Sequence, residues 1–383
     1  SRVLGPAILA DDPRGEGEVP ALIDALGDAA DWTVAVGSVP DASFPITKLA
    51  QLRNAEPRRF ASIAKVLAPH DWLTYRLSRR FVTDRGDASG TGYWSPRENG
   101  WRIDLLTLVD DTKDWSACLP RVANPSEPAG DREGVLIAAG TGQTMSAALG
   151  VALEPRDLIV VLDGGITIGT VRERPTEDPT GAVTGFADAT GRFLPQVHLR
   201  NGINVTDAVG RVLGVDRNSF DQLALSAPPG AAGVTLVPSF NADRVSRHRG
   251  EGGFLSGLRS DVMPAHLARA AVEGVVCSVL DGLDALRAAD VPVGGRIALI
   301  GPGARSHALQ RVLADMSQRP VAVPQGDRIA TGACVQAAAA LRNEPPEHIA
   351  AAWGLAPTRQ LDPSDRGQGD GVRAQFRAAQ ARP

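Results

Sequence analysis

Residues Gly253–Glu273 read GFLSGLRSDVMPAHLARAAVE, and the fold turns on how this stretch is read. A small residue and an alternation of Leu with Gly are followed by a seven-residue spacer and a helical run that reaches Glu273. Leu267, Ala271, Val275 and Val279 recur at every fourth position, with further apolar residues at Leu283 and Leu286. That spacing predicts a long helix over Val262–Ala289.

Downstream, Arg296–Ile300 (RIALI) reads as a strand running into Gly301-Pro302-Gly303-Ala304-Arg305-Ser306 and a helix. Val321–Val323 is a short strand and Gly332–Leu341 a helix. Upstream, Val135–Ala139 reads as a buried strand that enters Gly140-Thr141-Gly142 and an Ala-rich helix. Asp157–Leu162 and Ile166–Val171 flank Asp163-Gly164-Gly165, which reads as a hairpin closed by a type I′ turn. Hairpins mixed with strand–loop–helix units make this half α/β with a mixed sheet.

The first half differs in texture. A helix is expected near Val19–Leu26, and helical spacing returns over 45–81. Thr83–Trp94 is Gly-, Asp- and Ser-rich and reads as loop. Residues 121–134 hold two prolines and two glycines and read as a linker. The expected division is therefore 1–134 for the first domain and 135–356 for the second, with 357–383 a disordered Gly-, Asp-, Arg- and Gln-rich tail.

Bulk properties narrow the function classes. The 383 residues suffice for two domains, and 43% are hydrophobic. A net charge of −4 with interspersed signs offers no pull toward nucleic acid or an anionic membrane. No apolar run approaches the roughly 20 residues that span a bilayer. Three scattered cysteines, Cys118, Cys277 and Cys334, fit a reducing cytoplasm better than a disulfide framework or a zinc site.

Four segments could carry chemistry. Glycines at 301–306, between a strand and a helix, let a backbone approach a nucleotide, with the helix dipole aimed at it. The same pattern also makes a ligand-free tight turn, and the pattern alone leaves the two readings level. Gly164 and Gly165 could cradle a phosphate through backbone amides, although a plain turn is the simpler account. Gln143 opens a helix and can position a group by hydrogen bonding, but its amide cannot serve as a general base. Asp11, Asp12, Asp84 and Asp87 sit at loop ends, where carboxylates bind sugar hydroxyls or Mg²⁺ or simply cap helices. The six histidines show no metal-ligand spacing, so no metal site of the chain's own is expected.

Taken together, these segments resemble the FGGY carbohydrate kinases, and most closely the xylulokinases. Gly253–Glu273 is similar to the family's C-terminal signature. APHDWLTYRL at Ala68–Leu77 and TDRGDASGTGYW at Thr83–Trp94 look like first-domain segments of xylulokinases. GPAILADDPR at Gly5–Arg14 is similar to the family's PALLWNDTR, and GPGARS to its adenosine-site GGGARS. The resemblance implies the actin/hexokinase-type (ribonuclease H-like) fold of two α/β domains, with ATP and Mg²⁺ as cofactors. It also implies phosphoryl transfer to a ketopentose such as D-xylulose. It places nucleotide binding at Gly164, Gly165, Gly301, Gly303, Ala304, Arg305 and Ser306, and sugar binding at Asp11 and Asp12. Small-molecule sugar and nucleotide are the implied partners.

The departures from the family pattern fall on the chemistry. The family's catalytic Asp stands in a GGGDNAA-like stretch, and its place here is Gln143. The phosphate hairpin SLGTSG is VLDGGI here, so Asp163 brings a negative charge toward phosphate. Gln51 replaces a signature Trp, Ala10 replaces the Trp of LWND, and NADRVS at 241–246 replaces DGERTP. The family's opening DxGT hairpin and its QHG or MHG segment precede the stretch matched by Gly5–Arg14. The first domain is therefore expected to be incomplete, with exposed sheet edges that a partner copy in a homodimer could cover. Two functions follow as alternatives: an impaired xylulokinase-type enzyme, or a catalytically silent relative that binds nucleotide, sugar or another protein.

Overall fold

A computed structural model describes residues 2–239, 252–357, 359–364 and 368–381. The segment NADRVS at 241–246 lies outside these described residues. The chain divides into two compact units. One comprises 1–152, 171–195 and 327–356, and the other 153–170, 196–326 and 357–383. The two units are thus interleaved along the sequence, and the expected boundary at 134/135 does not separate them.

The first unit is mainly helical. Helices Val19–Leu26, Ala29–Val36, Pro45–Ala55 and Pro69–Ser78 form where apolar residues recur at helical spacing. Trp32, Ile46, Leu105, Leu106 and Trp115 are buried in its core. Residues 121–134 are not a linker. Arg121–Val122 pairs in parallel with Val82–Thr83, and Pro128–Arg132 pairs antiparallel with Val135–Ala138. Glu133 and Gly134 close that hairpin with positive φ, at 54° and 79°, as a two-residue turn requires. Val135 is largely exposed, so the strand after the turn is not the buried strand its apolar run suggests.

Two helices in this unit meet almost backbone to backbone. Gln143–Gly150 lies against Arg328–Arg342, and the Ser146 hydroxyl donates to the Ile329 carbonyl at 2.7 Å. A Cβ on Gly150 would overlap the Arg328 carbonyl, and one on Gly332 would overlap that of Ser146. Small residues therefore set how deeply the Gln143 helix seats.

The second unit is built on a mixed sheet. Five strands of a six-stranded sheet follow in the order Val321–Ala322, Ile297–Ile300, Leu158–Leu162, Ile166–Gly169 and Phe193–Leu199, with Thr184–Ala187 the sixth. Of these five, the first three run parallel and the last two pair antiparallel. The signature stretch supplies strand Phe254–Ser256, paired with Thr235–Val237, and then helix Pro264–Ala288. Glu273 lies in mid-helix, buried, in an ion pair with Arg269 at 2.7 Å, and accepts from Gly230 N–H at 2.9 Å. Burial raises its carboxyl pKa, against the lowering effect of Arg269.

The tail expected to be disordered forms a packed helix instead. Gln368–Gln380 inserts Val372, Phe376 and Ala379 into a core shared with Val237 and Cys277. Arg373 pairs with Asp281 at 3.0 Å and with Asp284, and Arg377 reaches Asp284 at 2.9 Å. Polar composition hides three apolar residues spaced four and three apart, which become a helix face only when a partner surface is present.

Phe376→Ala is expected to destabilise the chain by about 3–5 kcal/mol, the usual effect of emptying a buried aromatic site. Urea denaturation followed by circular dichroism measures this, and a change below about 0.5 kcal/mol would mean the tail is not part of the core.

Candidate functional site

The first unit gathers carboxylates around one imidazole. Asp84 caps helix Arg85–Ser89, with Oδ1 accepting from Gly86 N–H at 2.7 Å and from Asp87 N–H at 3.3 Å. The same oxygen accepts from the Thr141 hydroxyl at 3.0 Å, which ties the cap to the loop that precedes Gln143. His70, near the start of helix Pro69–Ser78, places Nδ1 2.9 Å from Asp87 Oδ2, 3.2 Å from Asp71 Oδ1 and 3.8 Å from Asp84 Oδ2.

Burial and charge act strongly here. Burial pushes the Asp84 carboxyl up to about 7, with the Asp87 charge adding to the shift and His70 opposing it. Burial alone would lower the His70 pKa, but the Asp71 and Asp87 carboxylates outweigh it and hold the imidazole at about 11. Glycines make the room. Gly140 has φ of 84°, and a Cβ there would overlap His70 Nε2. A Cβ on Gly142 would crowd Asp87 Oδ1 at 2.9 Å.

Gln143 is the exposed first residue of the helix after this loop. Its amide can donate and accept hydrogen bonds but cannot take up a proton near neutral pH. Asp12 acts as a cap, accepting from Arg14 N–H at 3.0 Å and pairing with its guanidinium at 2.8 Å. Those hydrogen bonds from Arg14 hold its carboxyl below the usual range. Asp11 is exposed beside it. Lys48 donates to the Leu9 carbonyl and so anchors the strip that carries both aspartates.

The second unit holds a cavity of about 560 Å³. Ile203, Phe220 and Leu309 line it with apolar surface, and Asp221, Arg305 and Ser306 supply polar groups. Gly303 also faces it, whereas Ala304 is buried behind it and Gly301 turns the chain at φ 91°. A Cβ on Gly301 would press on the Leu162 carbonyl at 2.7 Å, so the turn needs glycine. Ser306 caps helix His307–Ser317, and its hydroxyl donates to Asp221 Oδ1 at 2.6 Å. Asp221 Oδ2 accepts from His307 N–H at 2.6 Å.

The 163–165 hairpin forms as the sequence suggests, but neither glycine has the positive φ that a type I′ turn requires. Gly165 N–H donates to Asp163 Oδ1 at 2.9 Å. Gly164 and Asp163 carbonyls accept from Gly202 N–H at 3.0 Å and Ile203 N–H at 2.8 Å. The amide that could reach a phosphate at Gly165 is therefore already occupied by a carboxylate of the same turn.

Sequence reading missed two features. The cavity wall over 203–221 was not singled out, because Ile203 and Phe220 look like ordinary core residues. The histidines were read as lacking metal spacing, whereas His70, Asp84 and Asp87 bring ligand atoms within 4.8 Å of one another. Their positions in the sequence give no short motif. The clearest consequence of the cluster's tightness is at Gly140. Gly140→Ala is expected to destabilise the chain by about 2 kcal/mol or more, because it combines a left-handed backbone with an overlap on His70. Thermal unfolding measures this, and an unchanged midpoint would contradict the packing described.

Comparison with known proteins fits both halves of this description. Residues 1–150 match the N-terminal domain and residues 138–341 the C-terminal domain of the FGGY family of carbohydrate kinases. The xylulose kinase of Streptomyces coelicolor is 38% identical over 371 residues, 94% of this chain and 75% of that protein. The crystal structure of xylulose kinase from Bifidobacterium adolescentis superposes with a TM-score of 0.84 at 32% identity, covering 99% of this chain and 84% of that one. Plasmodium falciparum glycerol kinase, at 16% identity, shares the fold with a TM-score of 0.86 over 99% of this chain and 79% of its own. The two-domain actin/hexokinase-like fold is thus established, and the chain belongs to the FGGY family of carbohydrate kinases.

Proposed function

We propose that this chain is a sugar kinase of the xylulokinase type whose grip on the nucleoside is kept and whose phosphoryl transfer is impaired. The observation that carries this reading is the pair of substitutions at the chemical positions, Gln143 and Asp163. ATP with a divalent metal such as Mg²⁺ would supply the phosphoryl group, and a ketopentose such as D-xylulose would accept it.

The cavity beside Ser306 fits a nucleoside in size and in its mix of apolar wall and polar rim. Phe220 and Ile203 offer surface to a base, and Gly303 lets the backbone approach it. The phosphate end fits poorly. Gly165 N–H is held by Asp163, whose charge repels a phosphate unless a metal ion lies between them. At Gln143 a sugar hydroxyl could be oriented, but its proton would have no base to accept it there. Loss of a general base alone slows such a reaction by about 10²–10⁴-fold. Asp11 and Asp12 remain the sugar-side candidates, with Asp12 largely committed to Arg14.

A catalytically silent relative that binds nucleotide or sugar is the second reading. The same two substitutions favour it, since each removes a chemical role and leaves the fold intact.

Calorimetric titration with ATP and ADP in the presence of Mg²⁺, followed by ADP release with D-xylulose in the same samples, tests the proposal. Binding of both nucleotides with little sugar-dependent ADP release is expected. Rapid, sugar-dependent turnover with Gln143 in place would overturn the impairment. Asp163→Gly is expected to tighten ATP about tenfold while leaving adenosine unchanged, and equal effects on the two ligands would sink the role given to Asp163.

A further inference from the structure

We propose that His70, Asp84 and Asp87 form a binding site for one divalent transition-metal ion of the Zn²⁺ or Mn²⁺ class. The proposal does not depend on the kinase reading, since all three residues belong to the first unit.

The first support is convergence. The three ligand atoms lie within 4.8 Å of one another, with His70 Nδ1 2.9 Å from Asp87 Oδ2 and 3.8 Å from Asp84 Oδ2. Metal–ligand bonds of about 2.0–2.2 Å in tetrahedral geometry place neighbouring ligands about 3.4 Å apart, so these separations bracket the expected edge.

The second support is what the atoms do without an ion. Asp84 Oδ2 and His70 Nε2 are buried and have no hydrogen-bond partner. The His70 imidazole faces Asp87 and Asp71 through Nδ1, at 2.9 and 3.2 Å, so an ion bound at Nδ1 would take the place of the proton those carboxylates hold there. Asp84 is only 4% exposed, and its other oxygen is fully engaged by Gly86, Asp87 and Thr141. Its Oδ2 is therefore a buried carboxylate oxygen fixed in direction and aimed into the cluster. A buried polar atom left unpaired is unfavourable, so an unmet partner is the economical explanation.

The third support is how the site is held. Asp84 is fixed by its own cap, and Asp71 Oδ2 accepts from Ala68 N–H at 2.9 Å, leaving Oδ1 turned toward His70 as a fourth donor. Gly140 lets the imidazole sit against the loop, and Gly142 leaves room for Asp87. Outer contacts of this kind orient ligands in metal sites. The donor set also selects the ion. One imidazole with two or three carboxylates suits Zn²⁺ or Mn²⁺, whereas Ca²⁺ takes six to eight oxygens. An ion here would bind Thr83–Ser89 to His70 and, through Thr141, to the loop before Gln143. It would thus fix the backbone that sets residue 143.

The test uses the full chain, stripped with a chelator and free of nucleotide. Mn²⁺ binding is read by loss of the free-ion electron paramagnetic resonance signal, and Zn²⁺ binding by competition with a chromogenic chelator. One ion per chain is expected, weakened at least tenfold by Asp87→Asn. His70→Lys serves as the second variant, because its ammonium can sit among the same carboxylates while offering no ligand lone pair at neutral pH. It is expected to fold, as judged by circular dichroism, and to lose the ion. Absence of stoichiometric binding of either ion to the wild-type chain would overturn the proposal, and so would unchanged affinity in either folded variant. The first outcome would assign the cluster to a resident imidazolium cation instead. Neither outcome bears on nucleotide binding, so failure here is distinguishable from failure of the kinase reading.

Discussion

Close approach of backbone at glycines is the constraint on which the rest of this structure depends. Gly150 and Gly332 let two helices of the first unit meet at the level of their carbonyls, which fixes the helix that begins at Gln143. Gly140 lets an imidazole press on the loop just before that helix. In the second unit Gly301 turns the chain over the Leu162 carbonyl and so brings Ser306 to the rim of the cavity. Side chains of any size at these positions would separate surfaces whose spacing the sites need, and packed interiors relax only partly around such intrusions.

A second theme is the use of the chain's own carboxylates where a phosphate or a metal could bind. Asp163 accepts from Gly165 N–H, and Asp221 accepts from Ser306 and His307 at the start of a helix. At Asp221 this arrangement shapes the wall of a nucleoside-sized cavity. At Asp163 it fills a place where a phosphate oxygen would receive the same hydrogen bond. Neither Gln143 nor Asp163 disturbs the packing around it, so family membership is compatible with the impaired chemical step proposed above.

The sequence was legible where local pattern and tertiary demand agree. The four-residue recurrence from Leu267 to Val279 requires no partner to be recognised, and the helix found there, Pro264–Ala288, differs from the expected span by a residue or two. The strand and turn around Gly301 were equally plain. Reading failed where the signal lies in a partner surface. Val372, Phe376 and Ala379 are too few, among Gly, Arg and Gln, to announce a helix without the surface of Val237 and Cys277. Pro128 and Gly134 suggested a linker, although Gly134 is the turn residue of a hairpin. At the site, the Gly-, Asp- and Ser-rich composition of Thr83–Trp94 points to Asp84 and Asp87 as loop carboxylates, although Asp87 lies in a short helix that Asp84 caps. His70 is not singled out, because it belongs to a different helix, and only folding brings the three together.

In the function proposed here the nucleoside grip is kept and Asp163 takes the place of the phosphate at Gly165. A crystal structure of the chain with ADP and Mg²⁺ tests it most directly. The account predicts adenosine between the Phe220 and Ser306 walls, with Gly165 N–H still donating to Asp163. A structure in which Asp163 has swung away and Gly165 N–H donates to a phosphate oxygen would contradict it.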